Sequence, residues 1–204
     1  MPPAASPLGG AGPTGRSLSL SVSQQQQTNW CWAAVSTSVS QYFDRASLWQ
    51  QCTVADAALP RTDCCQVGAA GDPMRCNKAW YLDTALTVTG NLDRMEARSF
   101  TFSEIQAEIA KSNPVCSRVG WYGGGGHFQA IAGWLIAQSG TEYIDVSDPI
   151  YLNTQIAFAQ FASHYQSGGT WTHSYVTKPP PAGAAIAGVA ASSLAFRDES
   201  AIGA

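Results

Sequence analysis

Charge is scarce in this chain. Only 12% of its 204 residues are charged, the net charge is -3, and no lysine or arginine cluster occurs, so the electrostatic footprint that nucleic-acid binding needs is missing. No run approaches the ~18 apolar residues of a membrane-spanning helix. Nucleic acid and membrane are therefore not expected as partners. The first ten residues lack both the basic patch and the apolar stretch of a secretory signal. Histidine is rarest of the groups that matter for chemistry, at three, so a search for an imidazole base is short.

Hydrophobic residues are 45% of the chain, with seven each of Trp, Tyr and Phe, enough for the core of one domain. Residues 1–16 are rich in Pro, Gly, Ala and Ser and read as a disordered N-terminal tail. Residues 178–204 open on Lys178-Pro179-Pro180-Pro181, continue into an alanine-rich run, and read as a C-terminal tail. The working domain is then 17–177. Four of the six cysteines, Cys52, Cys64, Cys65 and Cys76, fall within 25 residues of one another, the density of a disulfide-stabilised exported domain. Two bridges are expected inside this cluster, not between the adjacent Cys64 and Cys65, with Cys116 a buried free thiol. Export by a route without a signal peptide fits the cysteines; a cytoplasmic location is the alternative.

The hydrophobic period changes along the chain. Strict alternation over 17–23 predicts a half-buried strand. Val35, Val39, Tyr42 and Phe43 then recur at helical spacing and predict a helix from about residue 31 to 43, capped by Asn29 or Thr28. A helix over 78–89 ending at Gly90 and a capping box at Thr101-Phe102-Ser103-Glu104 opening another before Asn113-Pro114 complete a mostly helical first half. Segments 115–121, 127–136, 142–146 and 170–177 are rich in β-formers, with a short helix through Ile156, Phe158 and Phe161 between the last two. Helices first and antiparallel strands after make an α+β domain, with two lobes and a cleft between them.

Cys31 opens the first of these helices, between Trp30 and Trp32. A helix N-terminus is the positive end of the macrodipole and favours a negative group, the setting of a thiol nucleophile. Alone, the segment fits a buried structural cysteine better, since that is the commoner case. The histidines shift this. His127 follows four glycines and begins a strand, placed to transfer a proton, whereas His164 and His173 have ordinary settings. Twenty-one residues on, Val146-Ser147-Asp148-Pro149 ends the next strand, and a hairpin would return Asp148 to His127 to fix the ring's tautomer; Asp145 is the fallback. A side-chain amide upstream of Cys31, with the Cys31 backbone N–H, would form an oxyanion hole; the run Gln24 to Gln27 leaves open which glutamine serves.

In this order the Asn-Trp-Cys-Trp-Ala-Ala string, the Gly-Gly-His-Phe strand start and the Val-Ser-Asp-Pro strand end resemble the papain-like cysteine peptidases, and within them the bacterial branch of avirulence effector proteases, over about residues 18–177. The resemblance implies a papain-like two-lobed fold and a cysteine endopeptidase acting on a protein or peptide substrate as a monomer, without metal or cofactor. It implies Cys31 as nucleophile, His127 as base, Asp148 as the orienting third member and, six positions before the nucleophile, Gln25 as oxyanion donor. An aspartate third member sets the chain nearer the bacterial branch than the plant papains, which carry asparagine there. Amidase, deamidase or transferase chemistry would use the same residues. A zinc or disulfide-stabilised binding module is the remaining class, but the cluster lacks the close C-x-x-C pairs of zinc sites.

Overall fold

A computed structural model describes residues 12–166 and 168–181, so the alanine-rich run from Ala182 lies outside the described residues. Its elements run β1 (Thr14–Ser17), α1 (Cys31–Phe43), α2 (Gln51–Ala58), α3 (Val67–Ala70), α4 (Leu82–Val88), β2 (Leu92–Glu96), α5 (Phe102–Ala110), β3 (Val115–Gly120), β4 (Gly126–Ile136), β5 (Glu142–Ser147), β6 (Thr154–Ala157), α6 (Phe158–His164) and β7 (Thr170–Thr177). This is an α+β chain whose strands form one antiparallel sheet in the order β2-β7-β3-β4-β5-β6, with β1 added to β4.

Strand β4 organises the sheet. Residues 126–131 pair with β3, residues 133–136 pair with β1, and residues 130–136 pair with β5. Since a strand has two edges, β1 takes the edge that β3 leaves. The period-two alternation of side chains then divides the core. Cys116, Phe128, Ala130 and Tyr175 face α1, α2 and α4, while Val115, Ile131, Ile144 and Val176 face the cluster of Ile105, Ile109 and Phe161 from α5 and α6.

Helix α1 is buried along ten of its residues, so it is a core helix with little exposed face. Its buried serines remain satisfied, because the Ser36 and Ser38 hydroxyls donate to the Trp32 and Ala34 carbonyls one turn back. The expected cap is corrected. The N-cap is Trp30, with no side-chain cap, because Thr28 and Asn29 spend their side chains on Asn77. The Thr101–Glu104 capping box on α5 is present, and Gly90, with φ +76°, follows α4.

Four boundaries differ from the sequence pattern. The first strand is Thr14–Ser17, three of its four residues in the stretch 1–16 read as tail, because a strand held by backbone pairing with exposed side chains leaves no apolar signature. Residues 18–23 carry no ladder, although Leu20 and Val22 are buried as the alternation requires. Helix α4 starts at Leu82, not 78, because residues 76–81 form an irregular strip in which the Cys76 and Lys78 carbonyls hold the tryptophans of the α1 start. Ile156 belongs to β6, and the charged strand β2 had no apolar pattern to reveal it.

Candidate active site

Two segments far apart in sequence fix the start of α1. The Trp30 indole N–H donates to the Cys76 carbonyl at 2.8 Å and the Trp32 indole to the Lys78 carbonyl at 2.9 Å. Asn77, between them, accepts from the Asn29 backbone N–H at 2.9 Å and donates to the Thr28 hydroxyl at 2.8 Å. Cys76 is itself anchored by a disulfide to Cys64, and Cys52 is bonded to Cys65. The two bridges inside the cluster, with Cys64 and Cys65 not joined to each other, match the sequence expectation. They hold the strip against which the Cys31 turn is built.

Cys31 and Cys116 are the free cysteines among the described residues. Burial pushes the Cys116 thiol well up, which leaves it an inert core group. Cys31 differs by its neighbour, the His127 ring, on whose charge it acts. The other side of that ring is occupied by the Asp148 carboxylate, with Nε2 2.8 Å from Oδ2, so Nδ1 is the nitrogen left for the sulfur. Burial alone would lower the His127 pKa, but the Asp148 bond and the nearby Cys31 sulfur outweigh it and push it up to about 9. Burial acts to raise Asp148, and the His127 bond together with two backbone N–H donors overcomes it, so this carboxyl titrates below its ordinary value.

The strand pairing explains how these groups meet. Ala130 pairs with Ser147 across β4 and β5, which brings the residue after β5 back toward the beginning of β4. Both carboxylate oxygens of Asp148 are fully used. Oδ1 accepts from the Ile150 and Tyr151 N–H groups at 2.7 and 2.8 Å, and Oδ2 accepts from His127 and from the Tyr165 hydroxyl at 2.9 Å. Trp121 stacks on the His127 ring at 6.3 Å between centroids and Tyr151 meets it edge-on at 5.9 Å. Asp145, the fallback, is elsewhere, accepting from Gln155.

Gln25 sits beside this turn, its backbone N–H donating to the Pro149 carbonyl at 3.1 Å. Its side-chain nitrogen donates to the carbonyls of Gln27 and Thr28 at 2.9 and 2.8 Å, while its Oε1 is buried without a partner. Two carbonyls can only accept, so the amide orientation is fixed by chemistry. The buried Gln51 braces the run, accepting from the Gln26 N–H and donating to the Gln24 carbonyl.

Sequence reasoning missed Tyr165, Asn77 and Gln51. Each acts through a contact 17 or more residues away, and none lies in a motif. His164 ends α6 and His173 lies in β7; His173 faces a cleft of about 700 Å³ whose walls include Cys31, Trp32, Trp80 and Phe128. No helix among the described residues is long and apolar enough to cross a membrane. Asp63, Cys64 and Cys76 come close enough to suggest a metal site, but both cysteines are consumed by a disulfide and cannot offer thiolates.

A search of curated proteins found no match. The family described as papain-like cysteine protease AvrRpt2 matches residues 15–166, a span that contains Gln25, Cys31, His127, Asp148 and both disulfides. By that match over most of its length, the chain belongs to this family of papain-like cysteine proteases.

Proposed function

We propose that the protein is an endopeptidase that cleaves peptide bonds through a thioester on Cys31, with His127 as base and then acid and Asp148 as the group that orients the ring. The carrying observation is the His127–Asp148 pair at 2.8 Å beside Cys31, with the carboxylate held by three further donors. The helical unit bearing Cys31 and the sheet bearing His127 and Asp148 form the two lobes, and the 700 Å³ cleft lies between them.

His127 takes the thiol proton, the sulfur attacks the scissile carbonyl carbon, and His127, now cationic, protonates the leaving amine. Water then hydrolyses the acyl-enzyme with the histidine again as base. The first N–H groups of α1 have no acceptor within the helix, which makes the Cys31 N–H one donor to the oxyanion. Gln25 is the second. Its amide must turn one N–H away from Gln27 or Thr28 as substrate binds, since both carbonyls now draw on that nitrogen.

The test compares wild type and Cys31→Ala on an unfolded protein substrate, with products read by mass spectrometry. New termini in the wild-type digest, absent with Cys31→Ala, support the reading. A shift of about one mass unit on an intact chain would instead assign the same thiol to deamidation. Cleavage by Cys31→Ala at the parent rate would overturn it.

A further inference from the structure

Among the described residues the carboxylate-paired arginines are Arg61, Arg75, Arg94 and Arg98. Arg118 has no such partner there, and it lines the cleft that holds Cys31. It lies on the central strand β3, level with Phe128 of β4 and His173 of β7, and so forms part of the cleft floor. Its guanidinium rests flat on Gly126, where a Cβ would come within 2.6–2.8 Å of Nη2, Cζ and Nε. The bare backbone at Gly126 is what lets this arginine lie toward the loop that leads into His127.

A guanidinium has five N–H donors. Arg118 gives Nη1 to the Thr172 hydroxyl at 3.0 Å and Nη2 to the Gly125 carbonyl at 3.1 Å. Both partners are neutral, so its position is fixed while no carboxylate is bonded to it. His173 adds little competing charge, because burial and the Arg118 charge lower its pKa against the opposing pull of Asp83. Asp83 also lines the cleft, yet it makes no ion pair with Arg118. A half-buried, pre-oriented cation in a substrate cleft suits a carboxylate, which guanidinium binds in a two-pronged geometry.

Resting on the peptidase reading, we propose that Arg118 is a specificity residue that selects substrates with a glutamate or aspartate side chain close to the scissile bond. A cleft of 700 Å³ is roughly 9 Å across, about three residues of extended chain at ~3.3 Å each. The acidic residue therefore lies within about three positions of the cleaved bond.

The experiment uses one cleavable peptide, identified from a protein digest, resynthesised with Glu, Gln or Lys at each of three positions on either side of the scissile bond. At one position the wild-type kcat/KM is expected to favour Glu over Gln by about tenfold or more, as a charge-assisted hydrogen bond allows, and the preference should shrink in high salt. Arg118→Met should erase that ratio and Arg118→Glu should turn it toward Lys, with melting curves checking that each variant folds. Equal cleavage of the three series by wild type, or a Glu preference that survives in Arg118→Met, overturns the proposal while leaving the peptidase reading intact. If no peptide is cleaved, the peptidase reading fails. The proposal is then decided by equilibrium binding of a disordered peptide bearing one Glu, against its Gln counterpart, to Cys31→Ala and to Cys31→Ala with Arg118→Met: a Glu advantage only with Arg118 present supports it, and equal binding overturns it.

Discussion

The Tyr165 hydroxyl donates to Oδ2 of Asp148, the same oxygen that His127 Nε2 contacts. Tyr165 is fully buried, and burial together with the neighbouring carboxylate pushes its own pKa well up, so it stays protonated and donates. A neutral donor on this oxygen spreads the carboxylate charge and weakens its hold on the histidine proton. Tyr165→Phe is therefore expected to move the alkaline limb of the pH–rate profile upward, and to lower stability by ~1–2 kcal/mol for the lost bond. An unmoved limb would reduce Tyr165 to a packing residue.

The same pair sets a pH window for stability. The folded His127 pKa of about 9 exceeds the ~6.5 of an unfolded chain, so its contribution is complete below ~6.5 and is lost as pH rises through about 9. The Asp148 value lies below its ordinary one, so its contribution is present above ~4 and is lost as pH falls through the lower folded value. Thermal unfolding across pH is expected to show a decline from neutral toward pH 10 that is blunted in Asp148→Asn. A decline of equal size in that variant would assign it to other groups.

The disulfides give a third measurement. Denatured without reductant, the protein should show two reactive thiols, Cys31 and Cys116. Replacing Cys64 and Cys76 by Ala together opens a loop with a sequence separation of 12 and is expected to cost ~3 kcal/mol in denaturant unfolding. It should also slow alkylation of Cys31, since the strip that carries the Trp30 and Trp32 acceptors loses its anchor. Unchanged alkylation would show that the α1 start holds itself.

Gly133→Ala probes the meeting of β1 and β4. A Cβ there would clash with the Asp145 carboxylate and lie 2.8 Å from the Arg16 carbonyl oxygen and 2.9 Å from the Ser17 Cα, the last two backbone, so the first strand has to shift as well as the Asp145 side chain. A loss of ~1–3 kcal/mol is expected, read by equilibrium unfolding; a neutral result would mean that neither residues 14–17 nor the Asp145 side chain is held tightly against β4.

How far the sequence could be read depended on whether a residue's role was local. Cys31 at a helix start, the Thr101 capping box and the β-former content of β3 and β4 follow from neighbours a few positions away, and the structure carries all three. The approach of Asp148 to His127 was also legible, because a hairpin reverses the chain by a simple rule. The cap at Trp30, the delayed start of α4 and the role of Tyr165 depend on partners 17 to 49 residues away, and no periodicity encodes them. Strands β1 and β2 were invisible for another reason: their side chains are largely exposed and polar, so the backbone alone makes them strands.

Strand β1 has a practical consequence. It covers the backbone of residues 133–136 along one edge of β4, in a stretch with Trp134, Leu135 and Ile136. A chain trimmed to begin after Ser17 would bare that edge together with its apolar side chains, the template on which a second molecule adds a strand. Such trimmed material should self-associate with rising concentration, so preparations for crystallography or kinetics keep their behaviour only if residues 12–17 are retained.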